Sequence, residues 1–247
     1  MLLYNYRKFF MTFSASRVKK ELKKYANPKK AKIPSRFFKT GQGEYGYGDV
    51  FLGISVPDQR KVAGKFKVLS LSQTAKLLKS RVHEHRLTAL LILVGQFQKA
   101  EGKKKKQIFD LYLKNYKYIN NWDLVDLSAP KIVGAYLLEK PEKRKILYRL
   151  ARSKNLWKKR IAMLSTYTFI KNSQFKDTLK IAEILLNDKH NLIHKAVGWM
   201  LREIGKIDQN IEELFLKKHY KTMPRTMLRY AIERFNEKKR KFYLGKK

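Results

Sequence analysis

The feature that most constrains this chain is a helical cadence that returns at nearly even intervals. His85-Arg86-Leu87-Thr88-Ala89-Leu90, Lys159-Arg160-Ile161-Ala162-Met163-Leu164 and His194-Lys195-Ala196-Val197-Gly198-Trp199 each open on basic residues and continue with small and large apolar ones. Arg86 and Arg160 stand 74 residues apart, or two steps of 37, and Lys195 follows Arg160 by 35. Paired-helix repeats have periods of about 40 residues, because one amphipathic pair cannot bury its apolar face until a neighbour stacks on it. The midpoint of the first interval is Asp123. A position that holds a cation in the other repeats is therefore expected to have become Trp122-Asp123 here.

Apolar residues recur with helical spacing from residue 72 onward, between short polar turns, and period-2 alternation is scarce. The pattern predicts helices near 72–80, 84–98, 104–116, 121–138, 141–152, 156–171, 174–187, 190–205, 208–219 and 224–235. Pro130 should kink or divide the fourth of these. Upstream, a first helix runs from Ser14 to Ala26 and ends at Asn27-Pro28. A basic linker, Lys29 to Lys32, then leads to a short helix at Ile33–Phe38. Gly41 to Gly48 reads as the most flexible stretch, and a helix with Pro57 as its first residue, running to Phe66, follows an anchor, Phe51-Leu52-Gly53-Ile54. The expected architecture is all-α, a right-handed HEAT-like helical-repeat solenoid with a concave basic groove. Residues 13–247 would form a single domain, preceded by an extension, 1–12. Arg86, Arg160 and Lys195 would face the groove with Asp126 at its centre.

Lys plus Arg number 57 against 20 Asp plus Glu, a formal net charge of +37. A polyanion relieves self-repulsion on this scale, and Lys and Arg displace condensed counterions from phosphates. Nucleic acid is the expected partner, and a duplex has the size and charge to lie in the groove. A protein-binding scaffold suits this charge only if its partner is very acidic. The absence of cysteine excludes disulfides, thiolate metal sites and Cys nucleophiles. No apolar run approaches the roughly 18 residues that span a bilayer, and charge follows Met1-Leu2-Leu3 too soon for a signal-peptide core. A cytoplasmic, nucleoid-associated monomer is expected.

Gly41-Gln42-Gly43-Glu44-Tyr45-Gly46 matches GxGxxG in form, but no buried strand precedes it and no helix opens directly after it. His190 and His194 share a helix face without a third ligand nearby, so no metal is expected. Asp126 is the sharpest candidate. Aspartate favours caps and turns over helix interiors; Asp123 suits a first turn facing the helix dipole, whereas Asp126 lies deeper. Its two readings are a reactive carboxylate and a structural partner of a nearby cation. Trp122 is four residues before Asp126 and Trp199 four after Lys195, so both indoles either line the groove or sit in the core. An aromatic pair with a carboxylate suits a cation or an oxocarbenium-like sugar. Arg160 would grip a backbone phosphate or stand solvated.

Trp122-Asp123-Leu124-Val125-Asp126, Trp157-Lys158-Lys159-Arg160 and Lys195-Ala196-Val197-Gly198-Trp199-Met200-Leu201-Arg202-Glu203, in that order, resemble the HEAT-like repeat DNA glycosylases of the AlkD type. The resemblance extends less specifically from about residue 14 to 235. It implies excision of cationic N3- or N7-alkylated purines, such as 3-methyladenine and 7-methylguanine, from duplex DNA in base excision repair. The bond hydrolysed would be the N-glycosidic one, without extrusion of the base into a pocket and without a cofactor. Asp126 would be the catalytic aspartate, Trp122 and Trp199 the cleft tryptophans, and Arg160 the arginine beside them. Phe37 would stack near the lesion, and Arg86, Lys159, Lys195 and Arg202 would contact DNA. The alternative is a non-catalytic helical-repeat protein that binds DNA or RNA.

Overall fold

The computed structural model describes residues 13–245, and of residues 33–37 the backbone alone. The expected extension at 1–12 and the Phe37 side chain lie outside the described residues. Among these, the regular elements are helices, with one isolated parallel bridge between Val50 and Val82. They form two compact units, divided in sequence after Ile119.

The first unit contains α1 (Ala15–Lys23), α2 (Pro28–Phe37), α3 (Val56–Lys65), α4 (Leu71–Leu78), α5 (His83–Lys99) and α6 (Gly102–Lys114). Three helices start on serine caps. The hydroxyls of Ser14, Ser55 and Ser70 each accept the backbone N–H three residues on, at 3.3 Å, which satisfies one of the donors a helix start leaves orphaned. The α5 helix is buried almost throughout from His83 to Val94 and packs against α3 and α4. The expected basic linker at Lys29–Lys32 is instead the first turns of α2. Asn27 accepts the Lys30 N–H at 3.1 Å, and Pro28, whose missing N–H costs nothing at the first helical position, opens the helix.

Glu84 fixes the stretch before α3. One of its carboxylate oxygens accepts the N–H groups of Leu52, Gly53 and Ile54 at 2.9, 2.8 and 3.3 Å. Gly53 has φ +72°, and a Cβ there would lie 2.3 Å from the Asn27 carbonyl oxygen, so the sequence has glycine at the one place where L side chains fail twice. The glycine-rich loop is a series of turns, with the Gly41 N–H on the Glu44 carboxylate at 2.8 Å and the Gly46 N–H on the Lys39 carbonyl at 3.1 Å.

The second unit contains α7 (Trp122–Ala129), α8 (Ala135–Glu139), α9 (Lys145–Ala151), α10 (Leu156–Ser165), α11 (Tyr167–Ile170), α12 (Lys176–Leu185), α13 (Asn191–Gly205), α14 (Gln209–His219), α15 (Arg225–Ala231) and α16 (Glu237–Leu244). Helices α7, α10, α13 and α15 pack in succession, each on the next. Their first residues, 122, 156, 191 and 225, are separated by 34, 35 and 34 positions. The repeat read from the sequence is therefore present, with a corrected register. Four residues into each of these helices stand Asp126, Arg160, Lys195 and Arg229. The carboxylate at the repeated position is Asp126, not Asp123. Pro130 divides the stretch as expected: α7 ends at Ala129, and residues Pro130–Gly134 form a π-helical segment that leads into α8. The closing helix α16 extends beyond the last one expected.

Candidate functional site

Helix α7 starts at Asn121, a buried cap whose side-chain oxygen accepts the Trp122 N–H at 2.8 Å. Trp122 and Asp126 follow on one face a turn apart, both half-buried. Asp123 lies in the first turn and faces the positive end of the helix dipole. Proline has no N–H, so Pro130 cannot donate to the carbonyl four residues before it, which is that of Asp126. The interruption continues as the π-helical segment, where the Ala135 N–H and the Thr168 hydroxyl both donate to the Pro130 carbonyl, the latter at 2.6 Å. Such segments arise where the regular ladder is broken, frequently at functional sites.

Arg160 meets Asp126 side-on. Its Nε donates to Oδ1 at 2.8 Å and Nη2 to Oδ2 at 2.7 Å, the bidentate geometry that only a guanidinium supplies. Its Nη1 donates to the Leu192 carbonyl in the first turn of α13. One side chain on α10 thus ties together three successive repeats. The Arg160 side chain is 5% exposed and that of Asp126 is 16% exposed. Burial pushes the Asp126 carboxyl above the usual aspartate range; the Arg160 guanidinium opposes that push, and the Asp123 charge adds to it. The site therefore holds a carboxylate of raised basicity, oriented by a cation, open to solvent along one edge.

Trp199 lies on α13, half-buried. Its indole Nε1 donates to Glu203 Oε1 at 3.0 Å, and its ring is tilted against Tyr167, with centroids 6.3 Å apart. Glu203 is 4% exposed and pairs with Lys206 at 2.5 Å and Lys171 at 3.8 Å. Burial raises its carboxyl, but Lys206, the indole N–H and Lys171 together draw it below the usual range, so it is ionised. Glu203 and Tyr167 were not picked out from the sequence. The four-residue spacing of Trp199 and Glu203 was the available signal for the first; nothing local marks the second.

Several cations expected on DNA have other engagements. Arg86 is 3% exposed, with Nη2 on Asp49 at 2.6 Å and Nη1 on the Ser80 and Arg81 carbonyls at 3.2 Å each, so it is a buried structural arginine and not a groove residue. Arg160 is likewise too enclosed to grip a phosphate. Lys159 pairs with Asp188, and Arg202 with Glu233, their side chains 17% and 16% exposed. Lys195 differs from these: its ammonium lies 5.7 Å from the Tyr230 ring centroid, and no carboxylate partner is found among the described residues. His190 and His194 do not converge on a metal, since His190 Nδ1 accepts the Leu192 N–H and His194 Nε2 meets the Asp188 carbonyl.

A family described as DNA alkylation repair enzyme matches the chain over residues 18–235. Among solved structures, a predicted DNA alkylation repair enzyme from Enterococcus faecalis superposes with a TM-score of 0.69 at 17% identity, over 86% of this chain and 97% of the other. At that identity the likeness is one of fold. No curated protein matches.

Proposed function

Because the chain belongs to the DNA alkylation repair enzyme family, we propose that it is a monofunctional DNA glycosylase that releases cationic N3- or N7-alkylated purines from duplex DNA. The observation that carries this reading is the Asp126 carboxylate, largely buried, held in orientation by Arg160 and one turn from Trp122, in a chain of net charge +37.

Alkylation at N3 or N7 leaves the purine positively charged. When the glycosidic bond breaks, the purine takes the bonding pair and departs neutral, and the positive charge passes to the deoxyribose. An ionised Asp126 beside the anomeric carbon stabilises that charge. Water then bonds to the anomeric carbon, and its proton passes to the carboxylate, leaving an abasic site. A carboxylate has about four acceptor positions, so the two bonds from Arg160 leave room for water. The Trp122 face, one turn away, suits a cationic sugar. This chemistry needs no metal or organic cofactor.

The test is base release from duplex DNA treated with a methylating agent. Wild type should release methylated purines. The Asp126→Asn variant should be slower by about 100-fold or more, the scale of losing an electrostatic stabiliser, with duplex affinity retained. Absence of release by wild type would reduce the protein to a nucleic-acid-binding repeat in which Asp126 and Arg160 form only a structural pair.

A further inference from the structure

Glu203 lies one turn beyond Trp199 on α13. Helical side chains lean toward the N-terminus of their helix, so a carboxylate four residues on lies back over the turn that carries the indole. The indole N–H donates to it at 3.0 Å. The carboxylate is itself anchored from two directions, by Lys206 at the end of its own helix at 2.5 Å and by Lys171 beyond α11 at 3.8 Å. Lys171 also stands 5.3 Å from the centroid of the Tyr167 ring, the ring that meets Trp199. An indole has a single hydrogen-bond donor. Once that donor is held at one edge and the Tyr167 ring is tilted against the indole, the ring has little freedom to turn.

A buried carboxylate is costly unless it is paired and hydrogen-bonded. Here the indole N–H and Lys206 share one carboxylate oxygen, Oε1, and Lys171 approaches the other, so the carboxylate is neutralised while one of its oxygens stays on the indole. The negative charge at the N–H edge also enriches the indole face, which already attracts cations through its quadrupole.

We propose that Glu203 is a positioning residue for Trp199: it fixes the indole plane and sets its attraction for positive charge, so that Trp199 recognises the cationic sugar or cationic base at the reaction centre. The proposal rests on the glycosylase reading for its functional consequence, but not for its structural one.

Two variants separate the parts of the claim. Glu203→Gln keeps an acceptor for the indole N–H, whereas Glu203→Ala removes it. The first readout is the Trp199 indole N–H resonance in the unliganded protein, assigned by its loss in Trp199→Phe. It should shift upfield and broaden in Glu203→Ala and stay near its wild-type position in Glu203→Gln. The second is single-turnover release of 7-methylguanine from duplex DNA. Glu203→Ala should be slower by about tenfold, as misplacement of a contact group predicts, with affinity for unmodified duplex changed by less than about twofold. Glu203→Gln should recover most of that rate. Adding Glu203→Ala to Trp199→Phe should cost nothing further, because the effect passes through the indole. An unmoved resonance in Glu203→Ala, or a loss of rate that persists on the Trp199→Phe background, overturns the proposal. If wild type releases no methylated purine, the glycosylase reading fails, while the resonance still decides whether Glu203 sets the indole.

Discussion

At the scale of single residues, the pairing of Asp126 with Arg160 has two consequences that can be measured. Removing the guanidinium leaves a half-buried carboxylate without its counter-charge, which costs on the order of 3 kcal/mol of stability. It also removes what opposes the upward push of burial on the Asp126 carboxyl. In Arg160→Ala the acidic limb of the pH profile for base release should therefore move to higher pH; a limb that stays or moves lower would show that Arg160 does not hold the charge of Asp126. Glu212 offers a second titration, on α14. It is 2% exposed, one of its oxygens has no partner, and the other lies where a Cβ on Gly205 would fall. Burial, with the nearby Glu213, pushes its carboxyl up to about 8 from an ordinary value of 4.5, so the stability it confers is present below 4.5 and is lost as the pH rises to about 8. Glu212→Gln should flatten that decline, with its melting temperature gaining on wild type between about pH 5 and about pH 8. Trp122 and Asp126 stood out in the sequence because residue type and spacing were both unusual, whereas Arg160 was expected on a phosphate or in solvent and instead holds Asp126. The engagement of Arg86, Lys159 and Arg202 was not legible, since their carboxylate partners lie 37, 29 and 31 residues away, a whole repeat outside any local window.

At the scale of elements, helical periodicity revealed nearly every helix, and two prolines show how differently the same residue acts at a boundary. Pro28 ends one helix in sequence logic and begins the next in fact, because the same missing N–H suits both roles. Pro130 was expected to kink or divide a helix, and it divides it, with an extra residue taken up in a π-helical segment. Relative to an unbroken helix, one extra residue turns everything downstream by about 100°. Gly134, the last residue of that segment, lies so close to α10 and α11 that a Cβ would lie 2.3 Å from the Ser165 carbonyl oxygen and 2.8 Å from the Thr168 hydroxyl. Gly134→Ala should therefore cost about 3 kcal/mol, the upper range for overpacking, seen as a lower urea midpoint with an unchanged slope. An unchanged midpoint would mean that the two backbones can part without loss.

At the scale of the whole molecule, the charge of +37 identified a polyanionic partner before any fold was known, but it could not say which cations remain available. Burial and pairing sort them. Lys195→Ala should reduce the slope of log affinity for duplex DNA against log salt by about 1, whereas Arg86→Ala should leave the slope unaltered and cost stability instead. Equal slopes for wild type and Lys195→Ala would remove Lys195 from the phosphate contacts. The repeats themselves were legible as a rhythm, though not in their true phase, because the midpoint was taken from Arg86, which stands three residues into α5, whereas Arg160 and Lys195 stand four residues into their helices.

That phase carries a consequence. Positions 126, 160, 195 and 229 are one address written four times, occupied by Asp, Arg, Lys and Arg. The arginine at the second copy reaches back to the aspartate at the first. A single change of letter in an otherwise cationic series therefore creates an anion whose clamp is already installed next door.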